Sequence, residues 1–133
     1  MQIKLAWNDK VSQIDNFFWK MWKELFDIDC YNQIEAYKKC EIYYMQNYNK
    51  IISAIIFTNY KWKNYIWRFW TLAEYRNNWY WSSLIKTILN KYDDIYLEAD
   101  EKQVNYYEKL WFKQTWENKV IWNTISYWMV LKK

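Results

Sequence analysis

Residues 75–88 read YRNNWYWSSLIKTI, and the two sides of this stretch follow different rules. Upstream, Tyr65 to Leu72 is an apolar and aromatic run. Downstream, Leu84, Ile85, Ile88, Leu89 and Tyr92 recur at helical spacing. A strand therefore hands over to a helix across Tyr75 to Trp81. The first turn of a helix has N–H groups with no acceptor inside the helix, at the positive end of its dipole, so such a junction attracts anions. Arg76 and the amides of Asn78 to Ser82 are the donors available here. Phosphate-cradling loops use glycine for close approach, and this one places Trp79 and Trp81 there.

Read with glycine at 79 and 81, the loop becomes R-x-x-G-x-G and resembles the acetyl-coenzyme A pyrophosphate loop of the GNAT-type N-acetyltransferases. Tyr107-Glu108-Lys109-Leu110-Trp111-Phe112 is similar to that family's Y-E-K-L-G-F, again with Trp for Gly. Residues 68–76, RFWTLAEYR, are similar to its R-L-A-V-x-P-E-Y-R strand. The resemblance runs in family order from about Glu41 to Met129. It implies an α/β (α+β) fold, a mixed and mostly antiparallel sheet whose central parallel pair splays around the coenzyme site, with helices on both faces. It also implies transfer of an acetyl group from acetyl-CoA, as co-substrate, to a primary amine by direct attack in a ternary complex. Backbone groups of Phe69, Trp70 and Thr71 would pair with the pantetheine arm. Arg76, Asn77, Asn78, Trp79, Tyr80, Trp81 and Ser82 would hold the pyrophosphate. Tyr107, at the Tyr of the second motif, would be the general acid, with Tyr106 as its neighbour.

The general base is not His, because the chain has none. Glu74 and Glu98 are the candidates, with Asp100 a third. A carboxylate on the short apolar strand Asp94 to Ala99 would be poorly solvated, and poor solvation raises its pKa. Each of these residues also has a structural explanation: helix caps or solvated carboxylates for Glu74 and Asp100, sheet core for Phe69, and an inward-facing ring for Tyr107.

A chain of 133 residues suits one domain. No signal peptide, spanning apolar run or lipidation motif is visible, so a cytoplasmic protein without membrane contact is expected. Cys30 and Cys40 lack paired zinc spacing, so two reduced packing cysteines and no metal are expected. The formal net charge of +4 fits a phosphate-bearing ligand and is too modest to indicate nucleic acid. Expected partners are a small-molecule or peptide amine, with the chain a monomer or homodimer.

Zero Gly accompanies 12 Trp, where average usage would give about nine Gly. Trp62 falls in an apparent hairpin turn, Trp111 follows an amphipathic helix, and Trp122-Asn123 reads like a Gly-Asn turn. Such places want φ > 0, where a Cβ is penalised. A codon translated as Trp but used as Gly by its source produces this pattern. The alternative is an aromatic-rich chain in which Asn serves the turns.

Taken in order, Met1 to Ala6 reads as a strand. Ser12 with Asp15 resembles a capping box opening a helix. Ile14, Phe17, Phe18, Met21, Trp22, Leu25 and Phe26 form its apolar stripe. Asp27 to Lys39 is a loop or short helix. Glu41 to Tyr48, Lys50 to Tyr60 and Tyr65 to Tyr75 read as a three-strand meander. After the loop and its helix comes the strand Asp94 to Ala99, which a βαβ crossover makes parallel to the strand before the loop. Asp100 caps the helix Glu101 to Leu110, and Phe112 to Val120 with Thr124 to Leu131 closes the chain as a hairpin. Besides the transferase, the same residues suit a non-catalytic relative that binds coenzyme or a protein. A single-strand nucleic-acid binder using Lys with aromatic platforms is the weakest fit.

Overall fold

The computed structural model describes residues 2–27, 32–76, 79–121 and 124–132. In chain order these form β1 (Ile3–Leu5), α1 (Val11–Phe26), α2 (Ile34–Tyr37), β2 (Glu41–Asn47), β3 (Lys50–Tyr60), β4 (Lys63–Thr71), α3 (Tyr80–Lys91), β5 (Asp94–Asp100), α4 (Glu101–Glu108), β6 (Lys113–Ile121) and β7 (Thr124–Lys132). Two 3-10 turns, Asn8–Lys10 and Ala73–Tyr75, complete the path. The order read from the sequence is the order found, with α2 inside the polar segment.

The seven strands form a mixed sheet in the order β1-β2-β3-β4-β5-β7-β6. Pairs β1–β2, β2–β3, β5–β7 and β6–β7 are antiparallel. β4 and β5 are parallel, with Tyr65 opposite Tyr96, as a crossover through α3 requires. The chain groups into two compact units, Met1–Thr58 with Trp67–Lys86 and Asn59–Ile66 with Thr87–Lys133.

In the first unit the α1 stripe supplies Ile14, Phe17, Phe18 and Met21 to a core completed by Tyr37, Ile42, Tyr44, Ala54, Ile56 and Trp70. Ser12 and Asp15 do not form a capping box. The turn Asn8–Lys10 runs directly into α1, so Lys10 takes the cap position without a side-chain hydrogen bond. Asp15 Oδ1 instead accepts from the Gln33 N–H at 3.0 Å. β4 ends at Thr71, short of Tyr75: Leu72 N–H still donates to the Ile52 carbonyl at 2.9 Å, but Tyr75 N–H then donates back to the Leu72 carbonyl at 2.9 Å and coils the chain into the second 3-10 turn. Cys40 is a free thiol whose burial pushes its pKa up, which lowers its thiolate fraction. Cys30 lies outside the described residues.

In the second unit β5 alternates, burying Ile95, Leu97 and Ala99. Val104, Phe112 and Met129 are buried with them. Tyr60, Tyr65 and Trp128 form a ring cluster, with Trp128 stacked on Tyr60 at 6.2 Å and 18°. The Asp100 carboxylate accepts from Gln103 N–H at 3.0 Å, and the Gln103 side chain returns to the Asp100 N–H. This capping box starts α4 where the sequence places it.

Positive φ occurs at two of the four described tryptophans read as glycine positions, Trp62 and Trp111, and also at Asp27 and Tyr48. Lys61 (φ 51°) and Trp62 (φ 66°) make a two-residue hairpin turn, and both values positive define the type I′ geometry. Trp111 has φ 74°. Trp116, at φ 68°, was not foreseen, and it lies where the β6–β7 register shifts between Gln114 and Asn118. Trp79 and Trp81 are not left-handed, and Trp81 is inside α3. Trp122 and Asn123 lie outside the described residues. No helix among the described residues is long and apolar enough to cross a membrane, and none of their His, Cys, Asp or Glu side chains cluster to hold a metal.

Candidate functional site

The exit of β4 and the start of α3 bring together most of the expected coenzyme residues. Thr71 is buried and its hydroxyl shares a 2.7 Å hydrogen bond with Ser53. Trp70 is buried against Phe17, with ring centroids 5.1 Å apart. Arg76 Nε donates to the Thr71 carbonyl at 3.0 Å and its guanidinium carbon lies 5.9 Å from the Trp70 ring. These contacts aim the guanidinium while leaving its two Nη atoms without a hydrogen bond or ion pair among the described residues. The Trp79 carbonyl accepts from Ser83 N–H at 3.0 Å, so Trp79 caps α3 and the amides of Tyr80, Trp81 and Ser82 have no acceptor within the helix. An arginine fork and a helix N-terminus each attract anions by their chemistry. The Trp79 indole is 83% exposed, and the Trp81 ring packs edge-on against Phe69 at 5.3 Å. Asn77 and Asn78 lie outside the described residues.

Glu74 carries less basicity than its position suggested. Its carboxyl is held below the usual carboxylate range, first by its own backbone N–H and then by Lys50, whose ammonium sits 3.1 Å away in an exposed ion pair. That pair edges a cavity of about 390 Å³ walled by Gln13, Asn16, Phe17 and Lys20 of α1.

Sequence reasoning missed the surroundings of Arg68. Its guanidinium carbon lies 4.7 Å from the Trp67 ring, 5.1 Å from Trp22 and 5.6 Å from Tyr37. Nη1 also donates to the Tyr37 hydroxyl. The one available signal was that only two arginines occur in the chain, at 68 and 76.

In the second unit, Tyr107 sits at the end of α4. Phe112 N–H donates to the Tyr107 carbonyl at 3.1 Å and Trp111 N–H to the Glu108 carbonyl at 3.1 Å. Those two bonds are a Schellman cap, in which Trp111 takes the left-handed position that favours glycine. The cap also wants an apolar contact between the residues at Tyr107 and Phe112, and their rings lie 5.8 Å apart. Helix termination alone thus accounts for the Tyr-to-Phe spacing of the motif. Burial, then the charges of Tyr106 and Asp100, push the Tyr107 hydroxyl up to about 12. Glu98 is not the isolated carboxylate the sequence suggested. Its Oε2 accepts from Ser126 Oγ at 2.8 Å and pairs with Lys119 Nζ at 3.2 Å.

The sequence matches no family model. It matches no curated protein either. The fold matches 209 solved chains. The aminoglycoside 6'-N-acetyltransferase of Enterococcus faecium superposes with TM-score 0.79 at 14% identity, over 99% of this chain and 97% of that one. A GNAT-family acetyltransferase of Bacillus cereus gives TM-score 0.72 at 14% identity, over 99% and 96%. A Salmonella typhimurium protein solved with its cofactor acetyl-CoA gives 0.72 at 9% identity, over 98% and 92%. At such identities the likeness is one of fold: the chain has the mixed α/β fold of the GNAT acetyltransferases.

Proposed function

We propose that this chain is an N-acetyltransferase that passes an acetyl group from acetyl-CoA to a primary amine by direct attack in a ternary complex. The observation that carries the reading is Arg76, pinned through Nε to the Thr71 carbonyl, with both Nη atoms unpaired among the described residues, in the segment that leads into α3. Its fork and the amides of Tyr80 to Ser82 suit a pyrophosphate, with Asn77 and Asn78 as further proposed ligands. Acetyl-CoA supplies the activated acetyl group as a thioester. Backbone groups of Phe69, Trp70 and Thr71 orient an extended pantetheine arm as an added strand would, and positioning of this kind supplies much of the rate. Tyr107 Oη, protonated throughout the neutral range, donates the proton that the departing thiolate needs. Glu98 or Glu74, directly or through water, takes the proton from the amine; each is ion-paired, Glu98 with Lys119 and Glu74 with Lys50.

The second reading, a non-catalytic relative that binds coenzyme or a protein, is favoured by Trp81, whose ring occupies the strand-to-helix corner on Phe69. Calorimetric titration of acetyl-CoA into the chain, its Trp79→Gly/Trp81→Gly variant and an Arg76→Ala variant separates the two. Expected is binding by the glycine variant, and loss of Arg76 in the chain that binds weakens it by about tenfold or more. Binding without acetylation of any amine in a broad panel would support the second reading. No binding by any of the three folded proteins sinks the transferase and points to a protein partner.

A further inference from the structure

Arg68 projects from β4 two residues before Trp70, and its charge is handled unusually. Three aromatic rings, from α1 (Trp22), α2 (Tyr37) and β4 itself (Trp67), surround the guanidinium at 4.7 to 5.6 Å. One N–H is taken by the Tyr37 hydroxyl. No carboxylate among the described residues pairs with it, although the side chain is half-buried. Ring faces stabilise a cation without consuming its N–H donors. The packing therefore holds the half-buried guanidinium against the rings and leaves its remaining N–H donors without a partner among the described residues. A buried-edge cation held this way attracts an anion that is planar and accepts two parallel N–H bonds, which describes a carboxylate. A phosphate dianion would want a second cation, and no lysine ammonium among the described residues approaches these rings.

We infer that Arg68 recognises the acceptor, selecting primary amines that also carry a carboxylate, as free amino acids do. The inference rests on the acetyltransferase reading for its context and extends it to substrate class. Trp22, Tyr37 and Trp67 position the fork, and their faces offer an apolar wall to the rest of the acceptor.

A purely structural Arg68 would stabilise the α1–α2 packing and have no preference among amines, so the test must read selectivity. Two ligand mixtures serve as probes, the free L-amino acids and their corresponding L-amino acid amides, which keep the amine and side chains but lose the carboxylate. Saturation-transfer NMR with the protein in the presence of coenzyme A reports which mixture is bound. Expected is contact with the acids at least about tenfold stronger than with the amides. Arg68→Met, checked for native circular dichroism, should abolish the preference, and Arg68→Lys should retain only part of it because an ammonium cannot bind bidentately. If Arg68→Met does not fold, the Arg68→Lys and wild-type proteins still decide. Equal contact with acids and amides, no contact with either mixture, or a preference undiminished in the variants overturns the assignment. Adding acetyl-CoA and following products by mass spectrometry tests the transferase separately. Acid binding without N-acetyl products would sink that reading and leave Arg68 as an anion-recognition residue.

Discussion

Trp62, Trp111 and Trp116 hold φ of 66°, 74° and 68° and are 97%, 81% and 84% exposed. An L-residue with a Cβ pays about 1 to 2 kcal/mol for such a backbone, and an indole in water recovers almost nothing by burial. Glycine at 62, 111 and 116 together should therefore raise stability by roughly 2 to 3 kcal/mol, after its own chain-entropy cost, and the melting temperature by about 5 to 10 °C. Differential scanning calorimetry measures this, and an unchanged or lower midpoint counts against these being glycine positions. Trp81 belongs to another class. It has helical geometry and packs on Phe69, so glycine there would weaken α3 whatever it did for a ligand. Trp62 and Trp111 were legible because a two-residue hairpin and a helix end demand a left-handed residue. Trp116 was not, because nothing in a strand's composition marks the place where its register slips.

Among elements, α4 is the one whose start the sequence states most fully. Asp100 and Gln103 satisfy each other's backbone groups, and the acidic residue faces the helix dipole. Asp100→Ala should cost about 1 kcal/mol in urea unfolding, and Asp100→Asn clearly less; equal losses would mean that charge, not the cap, matters. The same local pattern misled at Ser12, because a preceding 3-10 turn had already committed the chain to helix. β3 was legible at both ends, Lys50 and Tyr60, since turn residues flank it. The end of β4 was not, because Tyr75 looks as strand-like as Tyr65 and only its own bond back to the Leu72 carbonyl turns the chain out of the ladder. The site divides in the same way. Arg76 could be read from one segment, whereas the rings around Arg68 come from three, and periodicity reveals a face without naming its partners.

At the scale of the whole molecule, the chain shares the GNAT fold with solved structures to which it is only 9 to 14% identical. Global stability should also fall in alkali for an identifiable reason. The native state holds the Tyr107 proton with a pKa of about 12 against an ordinary value near 10. Below pH 10 both states are protonated and the contribution is complete. Between about pH 10 and 12 the unfolded chain loses its proton first, so this group withdraws about 2 kcal/mol. Across that interval the wild type should lose about 2 kcal/mol of unfolding free energy relative to Tyr107→Phe, and parallel curves would show that burial does not set this pKa. The Tyr60, Tyr65 and Trp128 cluster has an optical consequence. Rings fixed 5.4 to 6.2 Å apart couple their electronic transitions and give intense near-ultraviolet circular dichroism. The solvent-facing indoles will fluoresce, quench readily with iodide and contribute little ellipticity, so the two spectroscopies will watch different parts of the same chain unfold.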